Sequence, residues 1–298
     1  MQMSRVRLWI LGFLLILYLA GVLVLSAVTL HEPKEPKSSK LATEKHISKK
    51  LDYGISTYHS SKRFKIDWCT TLQFQEPPKL PVALASFPGS GNTWLRYLLQ
   101  QATGVYTGSV YKDYGLLKSG FPAESVSNGS VLVVKTHEWG LNARKNFAKA
   151  VLLVRAPAPA IQAEFNRQSG GHIGFASPDR YKKTRGRYWQ QFVADKLKMW
   201  KQMNLDWLYN FTGPTHVIFY EQLVDNVHHT LTVLLKFLEI PISDTLLACA
   251  LERQEGIYRR KRRYLNFDPY TPSMKKLLQK EQKKVYEAIY NVAAPAKR

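Results

Sequence analysis

The sequence is short of acid. Its 298 residues hold 22 Asp and Glu against 43 Lys and Arg, a formal charge of +21 with histidine neutral. An excess of that size calls for an anionic partner: nucleic acid, an anionic membrane or an anionic small molecule. Cysteine is scarcer still. The two residues, Cys69 and Cys249, exclude a disulfide-dense scaffold and a multi-cysteine zinc site. No internal repeat is visible. No spacing marks a metal site, since His228 and His229 are adjacent and diverge on a helix. Nothing reads as a Ser-His-Asp triad. Apolar residues are not lacking: 45% of the chain is hydrophobic and 12% aromatic, which excludes whole-chain disorder. Beyond a terminal anchor, the remainder suits one large α/β domain or two small ones.

Leu8 to Leu30 is uncharged and mostly Leu, Ile, Val and Phe. That run is long enough to cross a bilayer as a helix. Leu25-Ser26-Ala27 places Leu where a cleavage site wants a small residue, so the expectation is an uncleaved signal anchor. Residues 1–7 are then a cytoplasmic tail, 8–30 the transmembrane segment, 31–75 a stem and 76–298 the catalytic or binding domain. His31 to about Lys62 is rich in Lys, Glu, Ser and Pro and lacks apolar periodicity, as a stem should be. Orientation pulls two ways. Arg5 and Arg7 precede the span, and six lysines from Lys34 to Lys50 follow it. A charge count keeps the C-terminal side cytoplasmic, but long domains translocate largely regardless of charge. Two sequons, at Asn128 and Asn210, fit a luminal domain, and the reading adopted is a luminal C-terminus. In that compartment Cys69 and Cys249 are candidates for one disulfide, with two buried thiols as the alternative.

From Val82 the chain alternates short apolar runs with helical periodicity. Strands are expected at Val82–Phe87, Val131–Lys135, Ala150–Arg155 and Val217–Tyr220. Helices are expected near Gly91–Ala102, Ala158–Arg167, Tyr188–Tyr209, Val227–Leu238 and Met274–Tyr290. This order implies an α/β fold with a parallel sheet covered by helices on both faces. Ligands of such sheets bind beyond the carboxyl ends of the strands.

Ser86-Phe-Pro-Gly-Ser-Gly-Asn-Thr93-Trp94 joins the first strand to the first helix. Gly89 and Gly91 let the backbone curl so that successive N–H groups point inward. Ser90, Asn92 and Thr93 add donors, and the helix N-terminus adds a positive dipole end. The result is a cradle for a phosphate-like anion. A nucleotide P-loop carries Lys where Asn92 stands, and γ-phosphate transfer depends on that Lys. An NTPase or kinase is therefore disfavoured, although a cytoplasmic P-loop nucleotide-binding protein stays an alternative. Lys135-Thr136-His137 ends the second strand. Two apart on an extended segment, Lys and His can face one side of the sheet. The Lys can neutralise a transferring group, and the His can take a proton near neutral pH. The same pair can also be a strand end bonded to loop carbonyls.

The segment Ser86–Trp94 resembles the sulfotransferase family, whose loop reads (S/T)-(Y/F)-P-(K/R)-(S/T)-G-(T/N)-(T/S)-W. It departs only at Gly89, and S-F-P-G-S-G-N-T-W is similar to the membrane-anchored WSC-domain-containing branch. Two cysteines cannot build a WSC module, so none is expected here. The resemblance spans roughly Leu80 to Tyr290. It implies a P-loop-like sulfotransferase fold and 3′-phosphoadenosine 5′-phosphosulfate as donor, with no metal. It implies that Ser86, Pro88, Gly89, Ser90, Gly91, Asn92, Thr93 and Trp94 hold the donor's phosphosulfate end. His137 would be the base and Lys135 the sulfuryl clamp, with Glu138 in reserve because other branches use Glu. Arg155 would grip the 3′-phosphate. The family's Ser eight positions later is Ala163 here, so Asn166 or Arg167 is a candidate substitute. Trp94 and Tyr220 match positions that pack on adenine, and Tyr258, Arg259 and Arg260 align loosely with a basic loop closing over the 3′-phosphate. That basic run, Arg259–Arg263, is alternatively a solvated face or an acidic-glycan site.

The expected activity is sulfuryl transfer to a hydroxyl of an acidic or neutral glycan, with sialic acid suggested by the branch, in the Golgi lumen on a single-pass type II anchor. The alternative in another class is an inactive glycan-binding protein that kept the fold, motivated by Gly89 and Ala163. Nucleic acid drops to the bottom of the partners. Neither the acceptor nor the oligomeric state is readable, since Thr107–Gly129 and Gln168–Arg187 carry no recognisable code.

Overall fold

A computed structural model describes Tyr18, residues 66–259 and residues 265–293. Apart from Tyr18, the expected anchor at 8–30 lies outside the described residues, as do the stem to residue 65 and Arg260–Arg263. No helix among the described residues is long and apolar enough to cross a membrane. The fold lies in the unit Ser60–Arg298.

Five parallel strands form one sheet in the order β2-β3-β1-β4-β5. They are β1 (Val82–Ser86), β2 (Gly108–Ser109), β3 (Val134–Thr136), β4 (Lys149–Val154) and β5 (Thr215–Phe219). Its main helices are α1 (Asn92–Thr103), α2 (Pro157–Gly170), α3 (Arg187–Asn210), α4 (Tyr220–Asp225), α5 (Val227–Phe237), α6 (Asp244–Glu252) and α7 (Pro272–Ala293). Side chains alternate across the sheet, so one strand feeds two cores. Leu84, Val151, Leu153 and Ile218 pack on one face with α1, α5 and α6. Ala83, Ala85, Leu152, Val154 and Phe219 pack on the other with α2, α3 and α7. A sheet buried on both faces explains why β1 and β4 read as unbroken apolar runs.

Two expectations need correction, and one strand is an addition. The strand expected at Val131–Lys135 begins at Val134 and ends at Thr136. Val131 to Val133 are buried, but the Leu132 N–H donates to Tyr106 O instead of joining the ladder of β1. A two-residue strand, β2, was not expected; it has no apolar run to announce it. The stem boundary at 75 is also too late. Ile66 and Trp68 pack against the core, Trp68 lies 5.7 Å from the Tyr97 ring, and Gln73 bridges to Val105. The domain has therefore begun by Ile66.

Cys69 and Cys249 are disulfide-bonded across 180 residues. In the chain-entropy view, closing so long a loop contributes a few kcal/mol, about 2–4 in typical cases. Asn128 and Asn210 are both exposed.

Candidate active site

β3 and β4 flank β1 on opposite sides, so the chain diverges at the carboxyl end of β1. Such a divergence leaves a crevice between the outgoing loops. Here it is a cleft of about 1870 Å³, lined by the loop after β1, the ends of β3 and β4, α2 and the segment before α7.

The loop owes its path to two glycines. Gly89 and Gly91 have φ of +85° and +96°, in the left-handed region that favours glycine. A Cβ on Gly89 would lie 2.3 Å from Ala160 O and 2.8 Å from Glu164 N, so α2 packs directly on this residue. A Cβ on Gly91 would lie 2.6 Å from the Tyr220 ring. A side chain of any kind, a cation included, therefore meets a steric obstacle at Gly89. Asn92 is not a donor to the cleft through its amide, contrary to expectation. Its Nδ2 donates to Leu84 O and Ser86 Oγ, both at 3.0 Å, and stitches the loop to β1. Ser86 and Ser90 are buried and do not line the cleft, whereas Pro88, Gly89, Gly91, Asn92, Thr93 and Trp94 do.

Lys135 lies in β3 and is almost wholly buried. Glu124 Oε1 is 3.8 Å from its Nζ, and Glu124 is itself paired with fully buried Arg96 at 2.8 Å. Burial first, and then the Arg96 charge, lower the Lys135 pKa to about 8. His137 follows β3. Its Nδ1 is 2.7 Å from Ser86 O. A carbonyl only accepts, so Nδ1 carries the proton and Nε2 keeps its lone pair. Burial, then the Lys135 charge, lower the His137 pKa to about 3, so the ring is neutral at ordinary pH. Glu138, the reserve base, is exposed and does not line the cleft.

Arg155 ends β4. Its Nη1 donates to Gly89 O at 2.9 Å, and its guanidinium lies 4.1 Å from the centre of the Tyr220 ring. Arg155 Nε is buried without a hydrogen-bond partner. Trp94 stands edge-on to Tyr220 at 5.9 Å, and Arg259 covers Trp94 at 5.0 Å. Two rings and two cations thus gather in one part of the cleft. Trp94 is also a core residue, 2% exposed, with its indole N–H donated to Gln254 O. Tyr258 lines the cleft, but its ring packs on Phe121 and its hydroxyl donates to Ser119 O. Both candidate substitutes for the Ser, Asn166 and Arg167, line the cleft, and each is partly engaged within the fold. Asn166 Oδ1 accepts from Ala176 N, and Arg167 forms a two-bond pair with Glu164.

Four residues that sequence reading passed over belong to the site. The Tyr111 hydroxyl accepts the His137 backbone N–H at 3.0 Å, and its ring stacks on the imidazole. Glu124 holds Lys135. Asp113 and His172 pair at 2.7 Å and both line the cleft. Asp113 is legible as a helix cap, since it accepts from the Gly115 and Leu116 N–H groups. Its partner lies 59 residues away, and no sequence signal joins the two.

No family model matches the chain. It is 52% identical over 309 aligned positions to a WSCD family member of Aedes aegypti, covering 95% of this chain and 96% of the relative. It is 50% identical to a WSCD family member of Drosophila melanogaster, covering 91% and 93% respectively. Mouse sulfotransferase SULT7A1 complexed with PAP aligns at 15% identity and a TM-score of 0.47, over 71% of this chain and 88% of that one.

Proposed function

The chain belongs to the WSCD family, and we propose that it moves a sulfuryl group from 3′-phosphoadenosine 5′-phosphosulfate to a glycan hydroxyl, sialic acid among the candidates. One observation carries the reading. The Ser86 carbonyl fixes the His137 tautomer with Nε2 unprotonated, beside a buried lysine and a glycine-built anion loop. A neutral base next to a fixed cation, at the mouth of an anion cradle, suits attack by a hydroxyl on an anionic centre.

The residues present fit such a donor. Arg155 Nε is a buried N–H lacking an acceptor, and Tyr220 and Trp94 offer rings beside it. When bound, the donor supplies an activated sulfuryl group with phosphate as leaving group. The loop N–H groups and Lys135 hold that end, and Arg155 with Arg259 holds the 3′-phosphate. His137 Nε2 takes the acceptor's proton. Tyr111 keeps the histidine backbone in place, and the work is mainly positioning and electrostatics.

Adenosine 3′,5′-bisphosphate is expected to stabilise the domain, by about 2.7 kcal/mol at a hundredfold excess over Kd. An anion favours protonated Lys135, whose free pKa is about 8. Above the second ionisation of the phosphates, at about pH 6, affinity should be level up to about pH 8 and fall as pH rises beyond it. Thermal melts across a pH series measure both. A folded sample unmoved by millimolar bisphosphate would remove the donor site and leave the inactive glycan-binding reading.

The exposed sequons support a luminal, type II Golgi placement as part of the same proposal. Endoglycosidase treatment should increase the mobility of the cell-expressed protein, and the double variant Asn128→Gln/Asn210→Gln should not shift. An unshifted wild-type protein would argue for the cytoplasmic side.

A further inference from the structure

The loop carries no cation of its own, and α2 fills the space beside Gly89. The same turn of α2 supplies one. Glu164 is buried, its backbone N would stand 2.8 Å from a Gly89 Cβ, and its carboxylate accepts from Arg167 Nε at 2.7 Å and Arg167 Nη2 at 2.8 Å. Gln168 Nε2 adds a third bond to that carboxylate at 2.7 Å. A guanidinium held by two parallel bonds has a fixed direction. Arg167 Nη1 has no hydrogen-bond partner among the described residues, the side chain is 41% exposed, and it lines the cleft. The Arg167 charge also reaches the transfer end. Its charge adds to burial and to nearer cations in lowering both Lys135 and His137, and it is not among the groups acting on Arg155.

We propose that Arg167, braced by Glu164, is a catalytic residue that contacts the sulfuryl oxygens of the bound donor. This rests on the donor reading above and assigns Arg167 to the sulfuryl end, away from the 3′-phosphate. In the transfer, the acceptor oxygen forms a bond to sulfur as the bond from sulfur to the bridging phosphate oxygen breaks. That oxygen leaves with the electron pair, and the acceptor's proton goes to His137 Nε2. Net charge stays on the sulfuryl oxygens throughout, where a fixed guanidinium stabilises it.

The test compares two nucleotides that differ by the sulfuryl group. Adenosine 3′,5′-bisphosphate and 3′-phosphoadenosine 5′-phosphosulfate are titrated into wild-type, Arg167→Met, Arg167→Lys and Glu164→Gln proteins. Arg167→Met should bind the bisphosphate as the wild type does and the phosphosulfate roughly tenfold more weakly, as for loss of one charged hydrogen bond. Arg167→Lys should recover part of that loss. Glu164→Gln keeps the cation but loosens its brace, and should lose phosphosulfate affinity in the same sense. Equal phosphosulfate binding by wild type and Arg167→Met overturns the proposal, and so does an equal loss for both nucleotides. If wild type binds neither nucleotide, the donor reading itself fails. Arg167→Met leaves the buried Glu164 carboxylate with Gln168 as its remaining side-chain donor and should melt earlier, whereas Arg167→Lys keeps a cation there; unliganded melts check that both fold.

Discussion

His137→Ala is expected to lower sulfuryl transfer by about 10²–10⁴-fold, the usual worth of a positioned general base. Bisphosphate binding should be nearly unchanged, since the ring's proton goes to Ser86 O and not to the donor. The substitution also strips that carbonyl of its partner. An unpaired buried acceptor costs roughly 1–3 kcal/mol, so the alanine variant should melt earlier as well. His137→Gln separates the effects, because a side-chain amide can still donate to the carbonyl but cannot serve as base. A glutamine variant with wild-type stability and no transfer is the expected result. Full transfer by either folded variant would remove His137 from the chemistry. The effect should be steady from about pH 5 to 8, because a base with a pKa near 3 does not titrate there.

Gly89→Lys is the second large effect, and its direction runs against family resemblance. Restoring the common loop cation should harm the protein. At φ +85° any L side chain is strained, by roughly 1–2 kcal/mol. Its Cβ would also meet Ala160 O at 2.3 Å, and neither that carbonyl nor the α2 backbone can step aside cheaply. Overpacking of this kind costs about 1–3 kcal/mol more. Chemical denaturation should show a loss of about 2–5 kcal/mol for Gly89→Lys. Bisphosphate affinity should drop with it, because Gly89 O also accepts from Arg155. A Gly89→Lys protein as stable as wild type would mean that α2 can retreat from the loop.

Much of the fold was legible because the sheet is buried on both faces. Val82–Ser86, Lys149–Val154 and Thr215–Phe219 are apolar runs bounded by polar ends, and each appears within two residues of its expected limits. β3 was displaced because Val131–Val133 are apolar for a different reason: they are buried without joining that ladder. The site was legible where residues end strands. Lys135, His137 and Arg155 are brought to one cleft by the topology of a parallel sheet, together with the loop after β1. Asp113 was legible as a helix cap only, and His172 and Glu124 not at all. They sit in connections whose lengths follow no period, and their partners lie 59 residues away or in another element. Gly89 and Ala163 looked like lost functions in the sequence. In three dimensions they are neighbours, the Ala163 Cβ being 3.2 Å from where a Gly89 Cβ would lie. The two small residues are one packing solution.

The bond between Cys69 and Cys249 has a consequence for the chain as an object. All five strands lie between those residues, so the whole sheet belongs to a single covalent ring, with α7 as a tail outside it. A protease that nicks the ring once, for example at the exposed end of the Gln168–Arg187 connection, converts the ring into an open arc without releasing a fragment. The cut ends stay tethered through Cys69 and Cys249, and both arms of the cleft remain parts of one molecule.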